Sequence, residues 1–195
     1  VEERAKKRCC AKQDIRIFVS THKRVDLFDS ELFQPVQVGC SSRSDIFHWA
    51  FQDNDGENIS DQNPMYCELT TQYWAWKNTD SDYVGFCHYR RYFDFARKRH
   101  EENLYGEVMD AYIDAKSQAE YCLDDDSVRK YVKEFDVITT EHKDIRPYCG
   151  SSATIRKQYD LADKLFVEDL DKVVSILGKQ HPEYIQDAQT FLKGH

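Results

Sequence analysis

The chain has 195 residues, enough for one domain with one sizeable core. Aromatic residues make up 13% of it and charged residues 32%, which excludes a disordered polymer and describes a folded domain with a wet surface. A formal net charge of -8 excludes a general nucleic-acid binder, which carries a basic footprint, but leaves room for a local basic pocket that takes a small anion.

Residues 1–14 are polar, with Arg4, Lys6, Lys7, Arg8 and Lys12 setting them apart as a basic linker or tail. They lack an apolar face to insert into a bilayer. Ile15 to Ser20 is a short apolar run rich in β-formers and reads as a buried strand. Ser20-Thr21-His22-Lys23 follows it, where α/β proteins bind ligands outside the carboxyl ends of strands. These residues either contact a nucleotide or form an ordinary polar βα loop. Phe33 to Val38 is a second strand, made edge-like by Pro35.

Asp53 to Pro64 is a polar loop. Its carboxylates and amides suit a divalent cation or sugar hydroxyls, but the spacing fits an Asx-rich turn better. Asn63-Pro64 is a helix start, with Asn as cap. Tyr66, Leu69, Tyr73 and Trp76 then recur as one helical stripe and are expected to face the core. Trp74, off that stripe, is the candidate for stacking on a sugar ring. Tyr83 to Cys87 is a buried strand, and His88-Tyr89-Arg90-Arg91 follows directly. Such a cluster either waits for an anion or holds carboxylates in an Arg–Asp network; a guanidinium fork suits a diphosphate.

Further on, the pattern predicts helices over about 106–119 and 128–135, a strand over 136–140 and a loop over 147–152. A helix carrying Leu161, Leu165, Leu170, Val173, Val174 and Leu177 ends at Gly178, and a last helix runs from His181-Pro182 to Leu192. Strands alternating with helices predict an α/β sandwich with a mostly parallel sheet. Residues 15–195 are expected to form one domain after the tail. The chain carries no G-x-G-x-x-G, P-loop or G-x-S-x-G, which disfavours Rossmann dehydrogenases, P-loop ATPases and α/β-hydrolases. Seven cysteines, an odd number with no C-x-x-C, predict a reducing compartment and no zinc site. With no signal peptide and no apolar run of spanning length, a cytoplasmic location is expected, with possible peripheral association with a membrane machinery.

The stretches Gly56 to Ser60, Asn63 to Thr70, Tyr73 to Asn78 and Gly85 to Phe93 together resemble a bacterial family long labelled a domain of unknown function and associated with capsular and exopolysaccharide glycosyltransferases. The resemblance implies a GT-A type, Rossmann-like sandwich and transfer of galactose or galactofuranose from a UDP-sugar to a glycan or lipid-linked glycan. GT-A enzymes carry an acidic D-x-D motif after the strand that here is Tyr83 to Cys87, to hold a divalent metal (Mn or Mg) and the diphosphate. This chain reads Cys87-His88-Tyr89-Arg90 instead. The resemblance therefore implies that His88 and Arg90, with Tyr89 and Arg91, neutralise the leaving UDP with fixed cations. It places Thr21, His22 and Lys23 near the uridine diphosphate, Glu68 or Asp55 as the catalytic base, and Asn58, Asn63 and Trp74 at the sugar. The family pattern continues past the last helix, so part of the acceptor site is expected beyond His195. The rival expectation is a non-catalytic module that binds nucleotide or glycan, or scaffolds a synthesis complex.

Overall fold

The computed structural model describes residues 13–146 and 154–194. Four strands form one all-parallel sheet: β1 (Ile15–Thr21), β2 (Phe33–Gln37), β3 (Phe51–Gln52) and β4 (Tyr83–His88), in the order β3-β2-β1-β4. Between β3 and β4 lie the short helix α1 (Asn63–Tyr66) and helix α2 (Leu69–Asn78). After β4 come α3 (Ala115–Glu120) and α4 (Asp125–Val132). Among the described residues three more helices follow: α5 (Ile155–Leu161), α6 (Val167–Gln180) and α7 (Ile185–Lys193).

The expected α/β sandwich with a parallel sheet is what forms. Both faces of β1 are covered, so its apolar residues run almost without interruption rather than alternating with polar ones. Ile15, Ile17 and Val19 join Leu32, Phe33, Phe95, Leu123 and Val128 on one face. Phe18 and Val36 pack on the other against Trp74 and Ala75 of α2. Pro35 is tolerated in β2 because β3 pairs only with Val36 and Gln37, leaving no neighbour on that side of the proline.

Several local expectations give way to tertiary context. The helix starting at Asn63 breaks at Cys67, whose φ of 47° is left-handed, and restarts at Leu69. Asn63 does not cap α1; its amide donates forward to the Cys67 carbonyl and to Thr70 Oγ1. The buried face of α2 is Thr70, Thr71, Trp74 and Ala75, so the Tyr66, Leu69, Tyr73 and Trp76 stripe points away from the sheet. The helix expected from Gly106 begins only at Ala115, because Asp114 caps the Lys116 and Ser117 amides and fixes the start there. Residues 136–140 form no strand, and Val137 is exposed; the fourth strand is instead the two-residue β3. Leu161 and Leu165 precede α6, and that helix runs through Gly178 to Gln180. The loop expected over 147–152 lies outside the described residues.

Among the described residues, 13–101 with Val108–Thr139 form one compact unit. Glu102–Glu107 with 140–146 and 154–194 form a second. In the second, the Ile155 amide donates to the Gly194 carbonyl, tying the start of α5 to the end of α7.

Candidate functional site

Strand order places the site. Successive strands step one way from β1 to β2 to β3, then the chain crosses back and β4 pairs on the other side of β1. Open α/β sheets bind ligands in the crevice expected at such a reversal, here at the carboxyl ends of β1 and β4. Ser20 lies opposite His88 in the register, and the Tyr89 amide donates to the Ser20 carbonyl at 3.1 Å. The Arg91 amide then donates to the His88 carbonyl at 2.8 Å, turning the chain back so that Arg90 and Arg91 stand exposed at the crevice.

His88 is the centre of this cluster. The Arg90 amide donates to its Nδ1 at 3.3 Å, which leaves the proton of the neutral ring on Nε2, 3.7 Å from Glu68 Oε1. Glu68 sits at the N-cap of α2, where the helix dipole favours a carboxylate. The His22 ring lies 5.5 Å from Tyr89 and 6.5 Å from His88, and the Arg90 guanidinium stands over Tyr89 at 5.2 Å. Burial holds the His88 pKa below its ordinary value; Glu68 works against that shift, while Arg90, Arg91 and His22 add to it. Neither Arg90 nor Arg91 pairs with a carboxylate among the described residues. Of the two readings open for this cluster, an Arg–Asp network does not form at Arg90 or Arg91 among the described residues.

The crevice therefore gathers His22, Lys23, Glu68, His88, Tyr89, Arg90 and Arg91. Thr21 belongs to its frame: the hydroxyl is buried, donates to the Lys23 carbonyl at 2.6 Å and accepts the Lys23 amide at 3.2 Å, which shapes the turn bearing His22.

Four expected positions are placed elsewhere. Trp74 is only 5% exposed and packs edge to face on Phe18 at 5.5 Å, so its ring is core and has no face free for a sugar. Asn58 braces its own loop, donating to the Asn54 and Gly56 carbonyls and accepting the Ser60 amide. Asn63 spends its amide on Cys67 and Thr70, and its side chain lies where a Cβ on Gly39 would collide with it. Asp55 is exposed, and the Gly56-Glu57 pair that follows it is tied to Asn78 in the last turn of α2. Glu68 is at the other end of that ten-residue helix, about 15 Å along its axis.

Asp53, Ser20 and Thr71 escaped the sequence reading as parts of the frame. Asp53 is fully buried, and its carboxylate accepts the Gly39 amide (2.8 Å), the Cys40 amide (3.0 Å), Ser60 Oγ (2.5 Å) and Thr70 Oγ1 (2.7 Å). Ser20 Oγ donates to Thr71 Oγ1 at 3.0 Å, tying β1 to the first turn of α2 and so to Glu68. Only the clustering of polar residues in Asp53 to Ser60 hinted at such a brace.

No group of three His, Cys, Asp or Glu side chains converges among the described residues. Asp53, the carboxylate closest to the ends of β2 and β3, is already saturated by four donors. No helix among the described residues is long and apolar enough to cross a membrane.

Fold and site together define a Rossmann-like α/β sandwich of the GT-A type with a cationic switch-point crevice. Among solved structures, the chain is similar to the apo structure of WbbM, a bifunctional glycosyltransferase, with a TM-score of 0.86 and 31% identity over 93% of this chain. It spans 32% of that chain. The chain belongs to the family described as "Domain of unknown function (DUF4422)", which it matches over residues 16–195. No curated protein matches it.

Proposed function

We propose that this chain is the donor-binding part of a glycosyltransferase that moves a hexose, galactose or galactofuranose, from a UDP-sugar to a growing capsular or exopolysaccharide glycan. The observation that carries this reading is the pair of arginines at the switch point, Arg90 and Arg91, standing free of carboxylates beside His88, His22 and Lys23. Planar, forked donors of this kind suit a diphosphate. The similarity to a protein described as a bifunctional glycosyltransferase supports the reaction class.

In the proposed step the acceptor hydroxyl oxygen attacks the anomeric carbon as the bond from that carbon to the diphosphate oxygen breaks. The bonding pair leaves on UDP, and the hydroxyl proton passes to a carboxylate. Glu68 is the carboxylate within reach of the crevice. Arg90 and Arg91 meet the charge that develops on the leaving group, and His88 adds to them when protonated.

Calorimetric titration with UDP, with and without manganese, tests the site. Binding in both conditions is expected. Binding only with manganese would move the diphosphate site to carboxylates, and absence of binding would leave either a chain that lacks part of its site or a scaffold.

A further inference from the structure

The outer face of α2 carries large apolar side chains in water. Leu69 is 50% exposed and Trp76 70%, with Tyr73 between them and Tyr66 of α1 extending the line. The opposite face of the same helix finds its core on the sheet, so the outward stripe is not left over from a poorly packed helix. An exposed patch of this kind marks a contact surface.

The details of the stripe select its occupant. Tyr73 and Trp76 meet edge to face with centroids 5.7 Å apart, and the Tyr73 hydroxyl donates to Glu57 Oε1 at 2.9 Å. Lys77 Nζ stands 4.0 Å from the Trp76 ring centroid and 3.1 Å from the same Glu57 oxygen. The rings are thus pre-oriented, which lowers the entropy lost on binding. Lys77 and Glu57 neutralise each other beside the two rings, so the surface there suits a neutral partner. Flat, amphipathic rings bordered by an amide (Gln72), a carboxylate (Glu57) and an ammonium (Lys77) match a sugar, whose C–H face stacks on aromatics while its hydroxyls take hydrogen bonds. The stripe also begins at the proposed site, since Leu69 follows Glu68 directly and Trp76 lies about 10 Å further along the helix.

We infer that the outer face of α1 and α2 is a platform for the already polymerised part of a neutral glycan acceptor, whose growing end reaches Glu68. The direction of the glycan rests on the glycosyltransferase reading; the binding itself does not.

The test is titration of the chain with neutral galacto-oligosaccharides of increasing length, read by calorimetry and by tryptophan fluorescence, with UDP titrated in parallel. Affinity is expected to rise with length until the stripe is spanned. Trp76→Ala and Tyr73→Ala should each weaken it by about tenfold while UDP affinity is unchanged, and Tyr73→Phe should keep most of it. Trp76 is largely exposed, so its loss leaves the fold intact, which thermal unfolding checks. Unchanged affinity in Trp76→Ala, or no saccharide binding by a chain that still binds UDP, overturns the platform and leaves the donor site standing. Saccharide binding that depends on Trp76 without any UDP binding upholds the platform and overturns the donor reading instead. A dimer that becomes monomeric in Trp76→Ala, seen by sedimentation, would make the face a self-contact and also overturn the platform.

Discussion

Two polar clusters sit along the carboxyl edge of the same sheet, and they are built in opposite ways. Around Asp53, a buried carboxylate meets two backbone amides and two hydroxyls, and every partner is supplied from within the chain. Around His88, two arginines pair with no carboxylate among the described residues, and Glu68 sits beside the imidazole. A closed cluster has nothing left to offer a ligand, so its work is to hold backbone. An open cluster at a topological switch point keeps its charges available to a ligand. Composition alone does not tell the two apart; both are runs of polar residues after a short strand.

The sharpest break of this contrast is Asp53→Ala. It strands four donors in a buried site and should lower unfolding free energy by about 3 kcal/mol or more, read as a shifted urea midpoint at unchanged slope. It should weaken UDP binding only through the fold. A midpoint close to the parent's would mean that water replaces the carboxylate and that the cluster is less closed than it looks. Arg90→Ala should do the reverse. Its side chain is exposed, so stability should stay within about 0.5 kcal/mol. UDP affinity should fall by about ten- to a hundredfold with the loss of charge-assisted hydrogen bonds. Equal UDP affinity in the variant would remove the diphosphate role from this arginine.

The sequence made the open cluster visible and hid the closed one, for a physical reason. His88-Tyr89-Arg90-Arg91 stands out because two arginines and a histidine gathered directly after an apolar strand are a dense run of positive charge in an acidic chain. Asp53 is masked by Asn54, Asp55, Glu57 and Asn58, carboxylates and amides of the same type that lie on the loop surface or brace it. What separates Asp53 is its place one residue past β3, and β3 is only two residues long, too short to give a periodicity. The two faces of α2 were assigned in reverse for a related reason. Aromatic residues at helical spacing were the stronger apolar signal, yet Thr70 and Thr71 are the buried pair, because their hydroxyls bond to Asp53 and Ser20 across the chain. Long-range partners of that kind leave no mark in a local window. The parallel sheet was legible because β1 and β4 are continuous apolar runs, whereas 136–140 has the composition of a strand and forms none.

A pH series sharpens the comparison from inside the open cluster. The folded pKa of His88 lies below the ordinary 6.5, mainly through burial. Below 6.5 the unfolded chain therefore binds more protons at this residue than the folded one. His88 should lower stability progressively as pH falls from 6.5 through the folded value and cost nothing above that window. UDP affinity should move the other way, rising as pH falls, because a protonated His88 adds a positive charge beside the proposed diphosphate site. The two slopes are read by urea midpoints and by calorimetry across the range, and His88→Gln should flatten both. Slopes of the same sign would place the proton elsewhere.

The smallest effect is expected at Asp55, and it separates the two carboxylates that competed for the role of base. Glu68 lies beside His88; the turn bearing Asp55 is tied to Asn78 at the far end of α2. Asp55→Ala removes an exposed side chain and should leave stability, UDP affinity and any transfer rate close to the parent's. Glu68→Gln keeps the shape at the helix cap but cannot take a proton. It should leave UDP affinity near the parent's and lower kcat for sugar transfer by about a hundredfold or more, the range of a lost general base. Both variants are compared on the same saccharide acceptor, so that KM and kcat separate. A rate lost in Asp55→Ala and kept in Glu68→Gln would mean that the 53–58 loop swings to the crevice in the reacting complex. The closed cluster at Asp53 would then be a hinge anchor rather than a fixed brace.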